Sequence, residues 1–186
     1  MRKDFGVKPI ICPMPVLIVS AYDENGKVNL MNAAWGTACD TNKVLISLAK
    51  DHKTTENILK TGEFTVAMAT ESEVVSADFV GVVSGYDCPD KFEKTGWTAS
   101  KSKKVNAPIV DQLPLALECK LVSYNDESEI LIGEIVGVSV DESILEGDKV
   151  ALSKFKPICY DPLNHDYVAL GAKAGTAFLD GKKLKN

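Results

Sequence analysis

Short runs of apolar and β-branched residues, separated by polar turns, dominate this chain. The runs occupy residues 14–22, 28–34, 44–49, 64–69, 115–124, 130–140, 157–160 and 167–170. Runs of this length and composition predict β-strands. Asn25 and Gly26 stand between the first two runs, and because both residues tolerate a positive φ they predict a hairpin at this point.

Two segments follow a helical period instead. Residues 54–60 form the first, with Thr54 as a possible N-terminal cap and Gly62 as a left-handed end. Residues 71–83 form the second, with acidic residues in the first turn and apolar residues at helical spacing. Residues 86–108 are rich in Gly, Lys and Ser, which predicts a long excursion over the surface.

The order of these elements predicts the fold class. The strands cluster in hairpins and do not alternate with helices, which disfavours a parallel doubly wound sheet. Closing an antiparallel sheet into a barrel would remove its exposed edges. We therefore expect a β-rich α+β fold, an antiparallel barrel with a few flanking helices, as a single domain over residues 1–186.

Charge and composition limit the classes of partner. The formal net charge of −5 disfavours a grip on the phosphate backbone of nucleic acid. Arg2 is the only arginine, so recognition through forked guanidinium contacts is also disfavoured. No apolar run reaches the roughly 18 residues that span a bilayer, and prolines interrupt the apolar N-terminus. We expect a cytoplasmic protein without a membrane segment or a signal peptide.

The cysteines do not form a recognisable metal or disulfide pattern. There are five, with no C-x-x-C pair, and the chain has only two histidines. We therefore predict no zinc site and no disulfide framework. Cys88 lies in a polar loop before Pro89, where a reactive thiol and an incidental loop cysteine are both open interpretations.

The candidate chemistry lies between residues 28 and 68. The run His52-Lys53-Thr54-Thr55 stands directly before a predicted helix, where free backbone N–H groups and the positive dipole end favour a phosphate. Small residues beside Trp35 would let a flat ring lie close to the backbone. Together these features indicate a site for a phosphorylated aromatic cofactor.

Less specific interpretations exist for the same residues. The basic run is also compatible with a plain N-cap flanked by solvated Lys50 and Lys53, and Trp35 with a core aromatic. His165 and Tyr167 would either border a bound ring or face solvent. For Lys50, Lys53 and Trp35, the order of segments along the chain favours the cofactor site.

That order resembles the flavin reductase-like family, whose fold is the FMN-binding split β-barrel, and within it the flavoredoxin-type branch. The resemblance is carried by N-x-x-W in the first hairpin, a short strand ending in S-L-A-K, H-K-T-T before a helix, and T-G-E-F-T-V after it. Residues 86–92, 106–108, 118–119 and 132–135 also stand where such proteins carry similar segments. The likeness therefore extends over most of the chain, and it depends on order and spacing because no single motif is specific.

The resemblance implies a split antiparallel β-barrel that forms a homodimer with one FMN per subunit near the interface. Residues 32–36 would line the flavin, residues 47–50 would run beneath the ring or the ribityl chain, and residues 52–55 would hold the phosphate. The implied cofactor-binding residues are Asn32, Ala33, Ala34, Trp35, Gly36, Ser47, Leu48, Ala49, Lys50, His52, Lys53, Thr54 and Thr55. The family often has arginine where His52 or Lys53 stands, and lysine would bind phosphate only as a point charge.

The resemblance also implies an activity. We expect an NAD(P)H-dependent FMN oxidoreductase that passes electrons to a small acceptor or to free flavin, with no catalytic acid–base residue because the flavin performs the chemistry. The first alternative is a flavoredoxin-like FMN electron carrier, with a small molecule or a protein as its acceptor and without a nicotinamide site. The second is a cofactor-free β-barrel binding module. The sequence gives no basis for choosing between NADH and NADPH, since a 2′-phosphate usually finds an arginine.

Overall fold

In the computed structural model, which describes residues 1–185, antiparallel strands are the main secondary structure. The strands are β1 (Met14–Pro15), β2 (Leu17–Tyr22), β3 (Val28–Ala33), β4 (Gly36–Asp40), β5 (Lys43–Ser47), β6 (Glu63–Met68), β7 (Ala99–Lys101), β8 (Pro108–Val110), β9 (Leu115–Asn125), β10 (Ile130–Val140), β11 (Leu145–Glu146), β12 (Lys149–Val150), β13 (Ile158–Asp161) and β14 (Asp166–Ala169). The α-helices are α1 (Lys53–Thr61), α2 (Val74–Val82), α3 (Lys91–Lys94) and α4 (Leu152–Phe155). Short 3₁₀ turns cover Glu71–Glu73, Glu142–Ile144 and Asp180–Leu184.

Seven strands form one sheet that curls on itself. Their order is β3-β2-β6-β9-β10-β5-β4, and every neighbouring pair is antiparallel. The two edge strands, β3 and β4, are joined in the chain by Ala34 and Trp35 alone, so the two edges must meet at this linker. The backbone N–H of Ser47 donates to the carbonyl of Trp35 at 2.8 Å beside the seam. The predicted split antiparallel barrel is confirmed.

The curled sheet separates two hydrophobic cores. The inner core draws residues from β2, β3, β5, β6, β9 and β10 and includes Phe64 and, from α1, Ile58. The outer core lies beneath α2 and includes Ile18, Val80 and Trp97. Since side chains alternate along a strand, β2 contributes to both cores and is buried on both faces. Helix α2 is therefore held against the outside of the barrel, and α1 closes part of its interior.

The structure confirms the hairpin and the first helix, and it corrects some boundaries. Gly26 has φ 79° in the turn, and Gly62 ends α1 with φ 72°. The first predicted strand breaks at Val16 into β1, which pairs with β13, and β2. The helix predicted at residues 71–83 begins as a 3₁₀ turn and becomes α2 only at Val74.

Candidate functional site

A groove runs along the end of β3, between the barrel and the last turn of α2. Two adjoining clefts of about 230 and about 240 Å³ form it, and they share Asn32, Gly81 and Val82. Small-molecule sites typically occupy roughly 300–1,000 Å³, so the two clefts together reach a suitable size. One end of the groove is aromatic, and the other lies at the start of α1.

Three rings form the aromatic end. Trp35 is 52% exposed, because the two-residue seam between β3 and β4 leaves its side chain outside both cores. Its ring centroid lies 6.4 Å from that of Tyr160, which lies 6.2 Å from that of Tyr167. The core interpretation of Trp35 is therefore wrong. Tyr167 does border the groove, whereas His165 lies behind Tyr160 and shares a 2.6 Å hydrogen bond with its hydroxyl.

The opposite end is cationic and faces the start of α1. His52 is the N-cap residue with extended backbone, and its side chain makes no capping bond, so it satisfies none of the first N–H groups of the helix. The ammonium of Lys53 lies 3.0 Å from Glu56 and 5.4 Å from the ring centroid of Tyr86. Hydrogen bonds from Lys60, Tyr86 and Lys53 lower the pKa of Glu56 to about 2. Lys53 is thus held in place at the edge of the groove.

The two threonines at the start of α1, Thr54 and Thr55, are buried. Thr54 is 1% exposed, and its hydroxyl donates to Oδ1 of Asn29 at 2.7 Å. Thr55 is fully buried, and its Oγ1 has no hydrogen-bond partner among residues 1–185. Only Thr54 lines the groove. Because its hydroxyl proton is already used, Thr54 would contribute to an anion chiefly through its backbone N–H.

Replacing Thr54 with Val is expected to destabilise the ligand-free protein by about 1–3 kcal/mol. The substitution keeps the shape of the side chain but leaves the side-chain oxygen Oδ1 of Asn29 buried without its donor. Urea unfolding of the two proteins measures the difference in free energy of unfolding. Thr54→Ser, which keeps the hydroxyl, is the control, and a T54V protein as stable as the wild type would contradict this role.

Lys91 is a candidate site residue that no sequence motif indicates. It begins α3, its side chain is buried with 3% exposure, and its ammonium donates to the carbonyls of Val80 and Val83 at 3.2 and 3.1 Å. Burial lowers its pKa to about 8. Among residues 1–185 it makes no ion pair, although it lines the cationic end of the groove. A buried cation without a counter-ion is costly, so this position favours an anionic ligand.

Two glycines let α2 and the following loop approach β3 closely. A Cβ on Gly81 would lie 2.9 Å from Cβ of Asn32, and one on Gly85 would lie 2.3 Å from Nδ2 of Asn29. A side chain at Gly81 would push Asn32 aside, and one at Gly85 would push Asn29 aside. The sequence offers no distinctive signal for these roles beyond the glycines themselves.

The structure brings together only part of the predicted set. The predicted residues that line the groove are Asn32, Ala34, Trp35, His52, Lys53 and Thr54. The predicted residues that line neither cleft are Ala33, Gly36, Ser47, Leu48, Ala49, Lys50 and Thr55. Ala33 and Leu48 are buried in the inner core, and Lys50 is exposed and pairs with Asp126 at 2.6 Å. Residues 47–50 nevertheless begin beside Trp35, where the N–H of Ser47 donates to its carbonyl, and lead along the chain towards the start of α1.

A cleft of about 330 Å³ also borders Trp35 and Tyr160, but its lining residues include no buried cation. Two larger clefts lie elsewhere and also lack this combination of features. One of about 380 Å³ borders β7 to β10, and one of about 510 Å³ lies near Thr70 and Phe155. They share Asp111 and Asp141, and the only aromatic side chain in either is Phe155. Neither contains an aromatic wall facing a buried cation, so the groove along β3 is the better cofactor candidate despite its smaller volume.

Other kinds of site find little support. Within residues 1–185 no group of three or more His, Cys, Asp or Glu side chains is arranged to hold a metal ion. None of the helices in this range has the length and apolar character needed to cross a membrane. The thiol of Cys88 lies 3.3 Å from both Asp90 and Lys94, in a half-buried surface position beyond the groove.

Comparisons with known proteins agree with the fold and the order of segments. The sequence profile of the flavin reductase like domain matches residues 11–165. Flavoredoxin of Desulfovibrio vulgaris (Miyazaki F) is 34% identical, with a TM-score of 0.93 over 97% of this chain and 100% of that chain. Flavoredoxin from Methanosarcina acetivorans is 26% identical, with a TM-score of 0.89 over 99% and 100%. An FMN-binding domain of a flavin reductases-like enzyme from Shewanella baltica OS155 is 24% identical and shares the fold, with a TM-score of 0.79 over 87% and 88%.

Proposed function

Because the chain belongs to the flavin reductase-like domain family, we propose that it binds FMN in the groove along β3 and acts as an NAD(P)H-dependent oxidoreductase. Electrons would pass from the nicotinamide through FMN to a small acceptor or to free flavin. The chain would function as a homodimer, as the sequence resemblance implies, and we propose a cytoplasmic location for it. The observation that carries the proposal is the buried ammonium of Lys91, which has no ion-pair partner among residues 1–185, at one end of a groove whose other end is aromatic.

The residues of the groove fit the two parts of FMN. The flat ring would lie against Trp35 and Tyr160, whose faces are the largest apolar surfaces in the groove. The phosphate would lie between Lys91 and the start of α1, where an ammonium and free backbone N–H groups converge.

Bound FMN would supply both two-electron and one-electron chemistry, and the protein supplies the placement. Trp35 and Tyr160 would orient the ring and exclude water from one side of it. Lys91 and Lys53 would neutralise the phosphate. None of the groove residues stands out as a general acid or base.

The second candidate is an FMN electron carrier without its own nicotinamide site. The similarity to two flavoredoxins over nearly the whole chain favours it. The two candidates share the same cofactor site and differ in whether a reduced nicotinamide can reach the ring. The absence of arginine other than Arg2 leaves both nicotinamides open as donors.

Anaerobic mixing with NADH or NADPH separates the two candidates. For the reductase we expect the flavin absorbance near roughly 450 nm to bleach within seconds, because hydride transfer reduces the ring. The control is chemical reduction with dithionite, which must bleach the same protein fully. If dithionite bleaches the flavin and neither nicotinamide does, the protein is a carrier.

The affinity for FMN is expected to fall as the pH rises above about 8. In the free protein the ammonium of Lys91 loses its proton through this range, so binding the phosphate would also require uptake of a proton. The Kd for FMN would rise by up to about tenfold per pH unit, whereas the Kd for riboflavin would not follow. Titrations at pH 7, 8 and 9 measure the Kd for each ligand. Parallel changes in the two Kd values would contradict a role for the Lys91 ammonium in binding the phosphate.

A further inference from the structure

We propose that Tyr167 is a positioning residue that fixes the Asn32 amide so that its oxygen accepts a hydrogen bond from a ribityl hydroxyl of the flavin. This inference rests on the proposed function, because it assumes that a flavin occupies the groove. It assigns a role to Tyr167 and Asp78, which lie outside the predicted site, and it restricts Asn32 to accepting, not donating, a hydrogen bond in its contact with the ligand.

The amide nitrogen of Asn32 already has two partners. Its Nδ2 donates to the carbonyl of Ala77 at 3.0 Å and to the hydroxyl of Tyr167 at 3.4 Å. A primary amide carries two N–H groups, so both are used within the protein. The carbonyl of Ala77 can only accept, and it therefore determines which way the amide points.

The direction of the second bond is fixed by Asp78. The hydroxyl of Tyr167 donates its single proton to Oδ1 of Asp78 at 2.8 Å, so towards Asn32 it can only accept. Burial, followed by the neighbouring Asp78, raises the pKa of Tyr167 to about 12. The hydroxyl therefore stays protonated at any physiological pH, and the chain of bonds from Asn32 through Tyr167 to Asp78 keeps one direction.

The remaining atom of the amide faces the groove. Oδ1 of Asn32 has no hydrogen-bond partner among residues 1–185, and Asn32 lines both clefts. A ligand must therefore present a donor at this position. The carbonyl oxygens of a flavin and its phosphate only accept, whereas the ring N3–H and the ribityl hydroxyls donate. Asn32 lies midway between the aromatic and the cationic ends, where the ribityl chain would link ring and phosphate.

The test measures the Kd of apoprotein for riboflavin and for lumiflavin, which lacks the ribityl chain. It compares the wild type with Asn32→Leu, Tyr167→Phe and the double variant. We expect Asn32→Leu to raise the Kd for riboflavin by about 3- to 13-fold, the effect of one hydrogen bond, and to leave lumiflavin within about twofold. Tyr167→Phe should raise the Kd for riboflavin by about 2- to 5-fold alone and by no further factor in the N32L background.

A second measurement needs no ligand. The side-chain NH₂ resonances of Asn32 in ¹⁵N-labelled apoprotein should shift in Tyr167→Phe, because one of the two N–H groups loses its acceptor. Tyr160→Phe, whose hydroxyl bonds to His165 and not to Asn32, is the matched control and should leave these resonances in place.

The outcomes are distinct. Equal losses for riboflavin and lumiflavin would place the donor on the ring and overturn the hydroxyl assignment. An undiminished effect of Tyr167→Phe in the N32L background would show that Tyr167 does not act through Asn32. A wild-type protein that binds neither ligand nor FMN would overturn the proposed function together with this inference, whereas FMN binding with either of the first two results would overturn this inference alone.

Discussion

Replacing Lys91 with Met is expected to raise the Kd for FMN by about 10- to 150-fold, which corresponds to the loss of about 1.5–3 kcal/mol from a hydrogen bond to a charged group. Met keeps the length and the apolar stem of lysine but removes the ammonium at the cationic end of the groove. Riboflavin lacks the phosphate, so its Kd should change by no more than about threefold. Fluorescence titration of apoprotein with both flavins measures the two effects.

Lys94→Met is the matched control for this prediction. Lys94 lies on the same short helix, but it is exposed and its ammonium pairs with Asp90 at 3.1 Å. Its removal should leave both Kd values within about twofold. If K91M weakened riboflavin as much as FMN, Lys91 would support the groove without contacting the phosphate, and a loss in K94M as large as in K91M would point to a general charge effect.

Replacing Gly81 with Val is expected to weaken the binding of every flavin, FMN, riboflavin and lumiflavin alike, by about 5- to 150-fold. The new Cβ would lie 2.9 Å from Cβ of Asn32, at the junction of the two clefts, so the side chain would fill the groove and push Asn32 aside. Overpacking of this kind costs about 1–3 kcal/mol in a close-packed region. The measurement is the set of three Kd values, with circular dichroism to verify that the variant is folded.

Val75→Leu controls for enlarging a residue on the same helix. Val75 is exposed on α2 and lines neither cleft. We expect it to bind FMN as the wild type does. A folded G81V protein with normal FMN affinity would show that the flavin binds outside the groove.

The position of the site follows from how the barrel closes. The edge strands β3 and β4 lie at opposite ends of the sheet order but are consecutive in the chain, so the seam between them falls at Ala34 and Trp35. Side chains at a seam are covered by neither core, which leaves Trp35 free to border a ligand. The chain then returns along β5 to start α1 beside β3, where Thr54 bonds to Asn29. Trp35 and the start of α1 are thus brought to one groove, and Tyr160 and Tyr167 from β13 and β14 and Lys91 from α3 complete it.

Much of the fold could be predicted because its strongest signals are local. The Asn25-Gly26 turn, the alternation in β9 and β10, and the Gly62 helix end each depend on a few neighbouring residues. The sequence predicts a turn and not strand β4 over residues 35–43, because the side chains from Thr37 to Asp40 are exposed and show no apolar period. The short elements between residues 141 and 155 were missed for the same reason.

The candidate site was only partly predictable for a different physical reason. His52, Lys53 and Thr54 could be identified because a helix start has a sequence signature. Lys91 and Gly81 could not, since their roles depend on α2 and α3 packing against β3, which no local pattern encodes. The sequence places Thr55 and Leu48 in the site because they belong to the H-K-T-T and S-L-A-K segments, but the structure buries both side chains, that of Leu48 in the inner core.

A crystal structure of the protein grown with FMN tests the central claim most directly. We predict one FMN per chain, with its ring against Trp35 and Tyr160 and its phosphate within hydrogen-bond distance of Lys91 Nζ and of the first N–H groups of α1. Density for FMN at another place, or a groove along β3 that stays empty at saturating FMN, would contradict the account.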